Sequence, residues 1–192
     1  FLYAALLEEG KILPTTLIPD VPLELSGFSP KNFSSQFDGA VPANMALIRS
    51  LNVPAVFELR DYRFEKFHTL LKQMGMTSLN ASPGRYGLTL ILGGAEGTLW
   101  DVTGMYASMG RILVNYFTRP GANKYSALDI HALQYVNENK PESSLENNSL
   151  LSAGSIWATV ETLKELYRPG EESGWKHFSS SKNIAWKTGT SL

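Results

Sequence analysis

Apolar residues recur at three- and four-residue intervals along most of this chain, a spacing that commits it to helices far more than to strands. Leu99, Val102, Tyr106, Met109, Leu113 and Tyr116 mark a long amphipathic helix ending before Arg119-Pro120-Gly121. Phe64, Phe67, Leu70, Leu71 and Met74 mark another, closed by Gly75. Ile156, Val160, Leu163 and Tyr167 mark a third, stopped by Pro169-Gly170, and a short helix is expected over Pro42 to Arg49, with proline suited to its first turn. Phe1 to Leu7 is apolar all round and ends in Glu8, Glu9 and Gly10. No Ser, Thr, Asp or Asn precedes it as a cap, so it reads as the remainder of a helix that begins upstream.

Strands are few. Pro14, Pro19, Pro22 and Pro30 forbid a long helix between Lys11 and Val41 and suggest loop with short edge strands. Tyr86 to Leu92 is short, apolar and partly β-branched, which predicts a buried strand or extended segment. Asn183 to Thr190 reads as a strand with Ile184 and Trp186 on one face and Ala185 and Lys187 on the other. Asn137 to Ser149 is almost wholly polar and reads as a surface loop. With no regular strand and helix alternation and no internal repeat, the pattern predicts a helix-rich α+β domain. The last strand lacks partners, so its sheet is expected to be completed by residues outside the chain.

Composition narrows the chemistry. The 192 residues contain no cysteine, which excludes disulfides, Cys-ligated zinc, iron–sulfur clusters and a cysteine nucleophile. Lys and Arg total 17 against 18 Asp and Glu, so there is no overall cationic field to attract nucleic acid or an anionic membrane. The longest apolar run is far short of the roughly 20 residues that span a bilayer. His68, His131 and His177 make no metal-ligand spacing. Gly93-Gly94-Ala95-Glu96-Gly97 fits neither phosphate-binding glycine pattern and reads as tight packing at a helix start. Trp157, Tyr167, Trp175 and Trp186 are read mostly as core, not as a stacking platform.

Two polar elements remain. Lys187-Thr188-Gly189-Thr190 presents an ammonium, two hydroxyls and a glycine along one edge, a set suited to a peptide carboxylate. Ser50-Leu51-Asn52 follows the short helix and precedes Val53-Pro54-Ala55-Val56, which would hold Ser50 at a rigid junction. The Ser-x-Asn tripeptide alone is uninformative, since Ser78-Leu79-Asn80 and Ser181-Lys182-Asn183 match it as well.

Together, Arg-Ser-Leu-Asn-Val-Pro-Ala-Val and the later Ala-Trp-Lys-Thr-Gly-Thr-Ser resemble the second and third active-site motifs of penicillin-binding transpeptidases. The blocks Gly27 to Val41 and Tyr86 to Glu96 are similar to the bifunctional class A members of that family. The resemblance covers nearly the whole chain, least so Asn123 to Ser149. It implies the penicillin-recognising serine transpeptidase fold, close to that of β-lactamases, over residues 1–192, with an incomplete antiparallel sheet. Ser50 would pass a proton during acylation, Asn52 would bind the acyl donor's side-chain amide, and Lys187 would raise the positive potential and hydrogen-bond Ser50. Thr188 and Thr190 would hold the donor's terminal carboxylate, the Thr190 backbone N–H would serve an oxyanion hole, and Gly189 would permit close approach.

The same resemblance implies peptidoglycan cross-linking at D-Ala-D-Ala, β-lactam binding, no metal or organic cofactor and no nucleic-acid partner. It also implies a glycosyltransferase domain and a membrane anchor outside this chain, at the periplasmic face of the inner membrane. A D,D-carboxypeptidase or serine β-lactamase would share the motifs, as would a non-catalytic sensor domain. The family's nucleophilic Ser-x-x-Lys directly precedes a segment like Phe1-Leu2-Tyr3-Ala4-Ala5, so the nucleophile is expected upstream of Phe1 and further strands beyond Leu192. The 192-residue chain by itself is therefore expected to form no covalent adduct with a labelled penicillin while the longer protein does; a stoichiometric adduct on the isolated chain, seen by mass spectrometry, would contradict this.

Overall fold

The computed structural model describes residues 1–25, 27–135, 144–165, 184–187 and 189. Helix α1 (Leu2–Glu8) is the hub: Leu2, Tyr3, Ala4, Ala5 and Leu6 are all buried, as a helix that is apolar all round requires. Its end is a Schellman turn in which Gly10 takes φ +64° while Lys11 N–H bonds Leu6 C=O and Gly10 N–H bonds Leu7 C=O. The chain then forms a two-stranded antiparallel ribbon, β1 (Leu17–Asp20) and β2 (Gly39–Pro42), with Ile18 opposite Val41. These are the short strands that the Pro-rich stretch predicts.

Four helices follow: α2 (Ala43–Ile48), α3 (Asn52–Tyr62), α4 (Phe64–Gln73) and α5 (Pro83–Tyr86). Sequence periodicity finds α2 and α4 and misses α3, because Pro54 looks like a helix breaker. Pro54 stands in the first turn, where backbone N–H groups have no intrahelical partner, so its missing donor costs nothing. Arg63, at φ +79°, ends α3 and starts α4 with a sharp break.

Residues 86–92, expected as a strand, are instead the end of α5 and a 3-10 helix over Gly87–Leu92. The run is short enough that periodicity cannot separate strand from helix, and packing against α3 and α4 decides the matter, with Leu90 the buried residue. Gly94 folds back on this turn so closely that a Cβ there would lie 2.1 Å from the Thr89 hydroxyl, which accounts for one glycine of the glycine-rich run. Residues 184–187 join no ladder; the expected C-terminal strand is therefore not formed there, and residues 183, 188 and 190 lie outside the described set.

Helix α6 (Leu99–Thr118) and helix α7 (Ala153–Lys164) complete the bundle, and the Tyr167 end expected for α7 lies outside the described residues. Met105, Met109 and Ile112 of α6 and Ile156 of α7 join Leu59, Phe67, Leu71 and Met74 around α1. Trp157 does not belong to this core: it is 54% exposed.

Buried carboxylates tie the loops down. Asp101 accepts from Thr77 N–H (2.8 Å), Thr77 Oγ1 (2.9 Å) and Ser78 N–H (3.2 Å), fixing the loop after α4 to the start of α6. Asp129 accepts two bonds from Arg119 (2.7 and 2.8 Å), one from Asn115 and one from Ser126 N–H. Burial pushes both carboxyls up, but these donors outweigh it and hold them below the usual carboxylate range.

Glu58 on α3 is the exception. Its Oε1 is enclosed with no hydrogen-bond partner among the described residues, and burial pushes the carboxyl up to about 8. Its neutral form suits the folded state, so its contribution to stability is complete below the ordinary carboxylate range and is lost as pH rises through about 8. Glu58→Gln, which cannot ionise, is expected to match the wild type in stability at about pH 4 and to exceed it at about pH 9 by on the order of a few kcal/mol. Thermal melts across pH check this, and parallel curves would refute it.

Candidate active site

Helix α2 ends in the same kind of turn as α1. Leu51 N–H bonds Ala46 C=O (3.0 Å) and Ser50 N–H bonds Leu47 C=O (3.1 Å), which makes Ser50 the left-handed residue of a Schellman motif at φ +54°. The corresponding positions after α1 and α4 are Gly10 and Gly75. A serine here carries the Cβ penalty of the left-handed region, roughly 1–2 kcal/mol, that glycine would avoid. The strain is kept at this turn and avoided at its two counterparts.

The next residue explains the local geometry. Leu51 is buried in a small satellite core with Val41 and Ala46, while Ser50 and Asn52 on either side of it are only half-buried. Asn52 is the first residue of α3, and its side-chain Nδ2 donates to Lys31 C=O (2.9 Å). Ser78-Leu79-Asn80 has no such setting, since it follows α4 in a loop and its Ser78 N–H is spent on Asp101.

Lys187 arrives from the far end of the chain. Its Nζ donates to Ser50 Oγ at 2.5 Å, joining residues 137 apart in sequence. The segment is docked by Trp186 N–H on Leu163 C=O (3.4 Å), at the last turn of α7. Lys187 as a residue is exposed, yet crowding of its ammonium by protein lowers its pKa below the ordinary lysine value. Gly189 is exposed, and a Cβ on it would meet nothing within 4 Å, so packing gives no reason for glycine at that place. Thr188 and Thr190 lie outside the described residues.

The arrangement is therefore a hydroxyl and an ammonium in contact, with a carboxamide two residues along the chain. Among the described residues no group of three or more His, Asp or Glu side chains is arranged to hold a metal ion. No helix among them is long and apolar enough to cross a membrane. His68 is buried with its ring Nε2 3.2 Å from Ala81 C=O, and His131 pairs with Ala132 C=O, while His177 lies outside the described residues.

No protein-family model matches the chain. Penicillin-binding protein 1C of Escherichia coli K12 is 32% identical over 191 residues, which is all of this chain and 22% of that protein. Penicillin-binding protein 1B of Vibrio cholerae is 27% identical over 190 residues, 91% of this chain and 22% of that protein. The chain thus spans about a fifth of the length of these two relatives. Among solved structures, penicillin-binding protein 1A from Haemophilus influenzae shares the fold with a TM-score of 0.58 at 18% identity, over 90% of this chain and 29% of that one. A peptidoglycan glycosyltransferase from Burkholderia ambifaria gives a TM-score of 0.60 at 12% identity, over 86% of this chain and 52% of that one. With sequence identity to 1C along its entire length and a fold shared with 1A, this chain belongs to the class A penicillin-binding proteins.

Proposed function

We propose that this segment is part of the D,D-transpeptidase domain of a peptidoglycan-synthesising protein, and that it works on a serine nucleophile carried upstream of Phe1. The hydrogen bond between Lys187 and Ser50 is the observation that carries the reading. A hydroxyl has one proton to give and oxygen lone pairs that can take one up, which is what a proton relay between a nucleophile and a leaving amine needs. The nucleophile attacks the penultimate D-Ala carbonyl, Ser50 passes the proton to the departing D-Ala nitrogen, and the acyl group moves on to an amine of a second stem peptide. Lys187 keeps the site positive toward the donor's carboxylate, which Thr188 and Thr190 hold. Asn52 binds the donor's side-chain amide, and Gly189 leaves room for its backbone.

On this reading β-lactams occupy the same place and the partner is the peptidoglycan stem peptide. The protein works at the periplasmic face of the inner membrane through an anchor outside this chain. One observation favours glycosyl transfer instead: one solved structure with this fold is described as a peptidoglycan glycosyltransferase. That chemistry commonly relies on acidic side chains, as in the carboxyl pair of glycosidases. The Ser50–Lys187 contact, a hydroxyl against an ammonium, suits acyl transfer better than that chemistry.

In the intact protein, Ser50→Gly is expected to slow acylation by a fluorescent penicillin about a hundredfold, because it deletes the relay, and to leave the melting temperature unchanged or higher, because glycine accepts the left-handed turn. Unchanged labelling would refute the role of Ser50. Lost glycan polymerisation with labelling retained would favour the glycosyltransferase reading.

The pH profile supplies a second check. Lys187 acts as a cation with a lowered pKa, so acylation is expected to fall as pH rises through a value below the ordinary lysine value of about 10.4. Lys187→Arg stays charged and is expected to lose that alkaline limb even if its rate is lower. An identical limb in both proteins would assign it to another group.

A further inference from the structure

The Ser50-Leu51-Asn52 turn is gripped from outside by the loop between β1 and β2. Asp20, the last residue of β1, is 1% exposed and Asn32 is 2% exposed, an unusual degree of burial for two such polar side chains. Asn32 Nδ2 donates to Asp20 Oδ1 (2.7 Å) and to Gln36 C=O (2.9 Å), while its Oδ1 accepts from Val53 N–H (3.1 Å). The other oxygen of Asp20 accepts from Asp38 N–H (3.0 Å), and the Asp38 carboxylate pairs with Arg49. Lys31, next to Asn32, provides the carbonyl that receives Asn52 Nδ2.

Three residues around the left-handed turn are thereby tied to one loop: Arg49 before it, Asn52 and Val53 after it. The loop is itself strained, since Ser35 takes φ +56°, and of the three non-glycine residues with positive φ among the described residues two belong to this loop and turn. A core that wanted only stability would do better with apolar packing here, because each buried polar group must keep its partners to avoid a desolvation penalty. The bond from Asn52 to Lys31 has a chemical consequence as well. A carbonyl can only accept, so it fixes the amide nitrogen toward the loop and turns the amide oxygen away from it.

We propose that the buried Asp20–Asn32 pair is a positioning device that sets the side-chain amide of Asn52, and with it the preference for acyl donors bearing a side-chain amide. This rests on the transpeptidase reading. Asn32 and Asp20 touch no substrate; they act through Lys31 C=O and Val53 N–H. Misplacing a binding group by about 1 Å can cost up to about a hundredfold in rate, so a loosened clamp shows itself in selectivity before it shows itself in folding.

The test uses the intact protein and two β-lactams: benzylpenicillin, which has an acylamino side chain, and 6-aminopenicillanic acid, which has a bare amine in its place. Second-order acylation rates are measured for wild type, Asn32→Ala and the exchanged double variant Asp20→Asn with Asn32→Asp. Asn32→Ala is expected to reduce the preference for benzylpenicillin about tenfold. The exchange keeps a donor facing an acceptor between the two positions and an acceptor for Val53 N–H, but sets a carboxylate oxygen against Gln36 C=O, so it is expected to keep a clear preference for benzylpenicillin that is weaker than that of wild type.

Equal losses for both β-lactams, or no loss, would overturn the proposal, since a merely structural defect slows the two alike. Should Asn32→Ala not fold, the exchanged variant decides, and a folded exchange without the preference overturns it. A wild-type protein acylated by neither compound would instead defeat the transpeptidase reading itself.

Discussion

The burial of α1 on every side is the constraint from which the rest of the architecture follows. Leu2 to Leu6 are buried on every side of that helix, so α3 and α7 pack directly on it and α4 and α6 close the core around them. That enclosure takes up the inward faces of the surrounding helices and leaves helix ends at the surface. The end of α2, the start of α3 and the last turn of α7 are where Ser50, Asn52 and the docked Trp186-Lys187 are found. A rigid apolar hub thus delivers polar side chains to its rim from segments that are remote in sequence.

Backbone strain at the rim is distributed unequally, and the inequality is informative. Among the described residues three helices end in the same hydrogen-bond pattern; two use glycine, which takes the left-handed conformation freely, and one uses serine, which does not. Stability alone would favour glycine in all three. The residue that departs from this is also the one whose hydroxyl receives Lys187 across the fold. The buried leucine after it anchors the strained turn, so Leu51 supports the conformation that Ser50 disfavours.

Much of the scaffold was legible in the sequence because helices announce themselves by period. The stretches around Phe64 to Met74 and Leu99 to Tyr116 fold as their spacing says. Helix α3 was hidden by Pro54, whose effect depends on a helix start that periodicity alone does not locate, and residues 86–92 were misread because a seven-residue run has no decisive period. The site was legible in a different way. Nothing local connects Ser50 with Lys187, 137 residues away, and only the likeness of the two motifs to a known family put them on one page. The Asp20–Asn32 pair left no trace, since two polar residues in a Pro-rich loop look like ordinary surface until the fold buries them.

Three buried carboxylates, Asp20, Asp101 and Asp129, do the same structural work of pinning a loop to a secondary element, yet they differ in what they pin. Asp101 and Asp129 stitch scaffold to scaffold, and Asp129 has a guanidinium to balance its charge. Asp20 receives neutral donors, an amide and a backbone N–H, and the loop it holds reaches the candidate site. A neutral donor offsets less of a carboxylate's desolvation cost than a charged one does, so this arrangement gives up stability relative to an ion pair. Directionality is what it gains. A guanidinium at Asn32 would present donors alone, whereas the amide donates to Asp20 with one end and accepts from Val53 with the other, which lets a single buried side chain set the start of α3 against the end of β1.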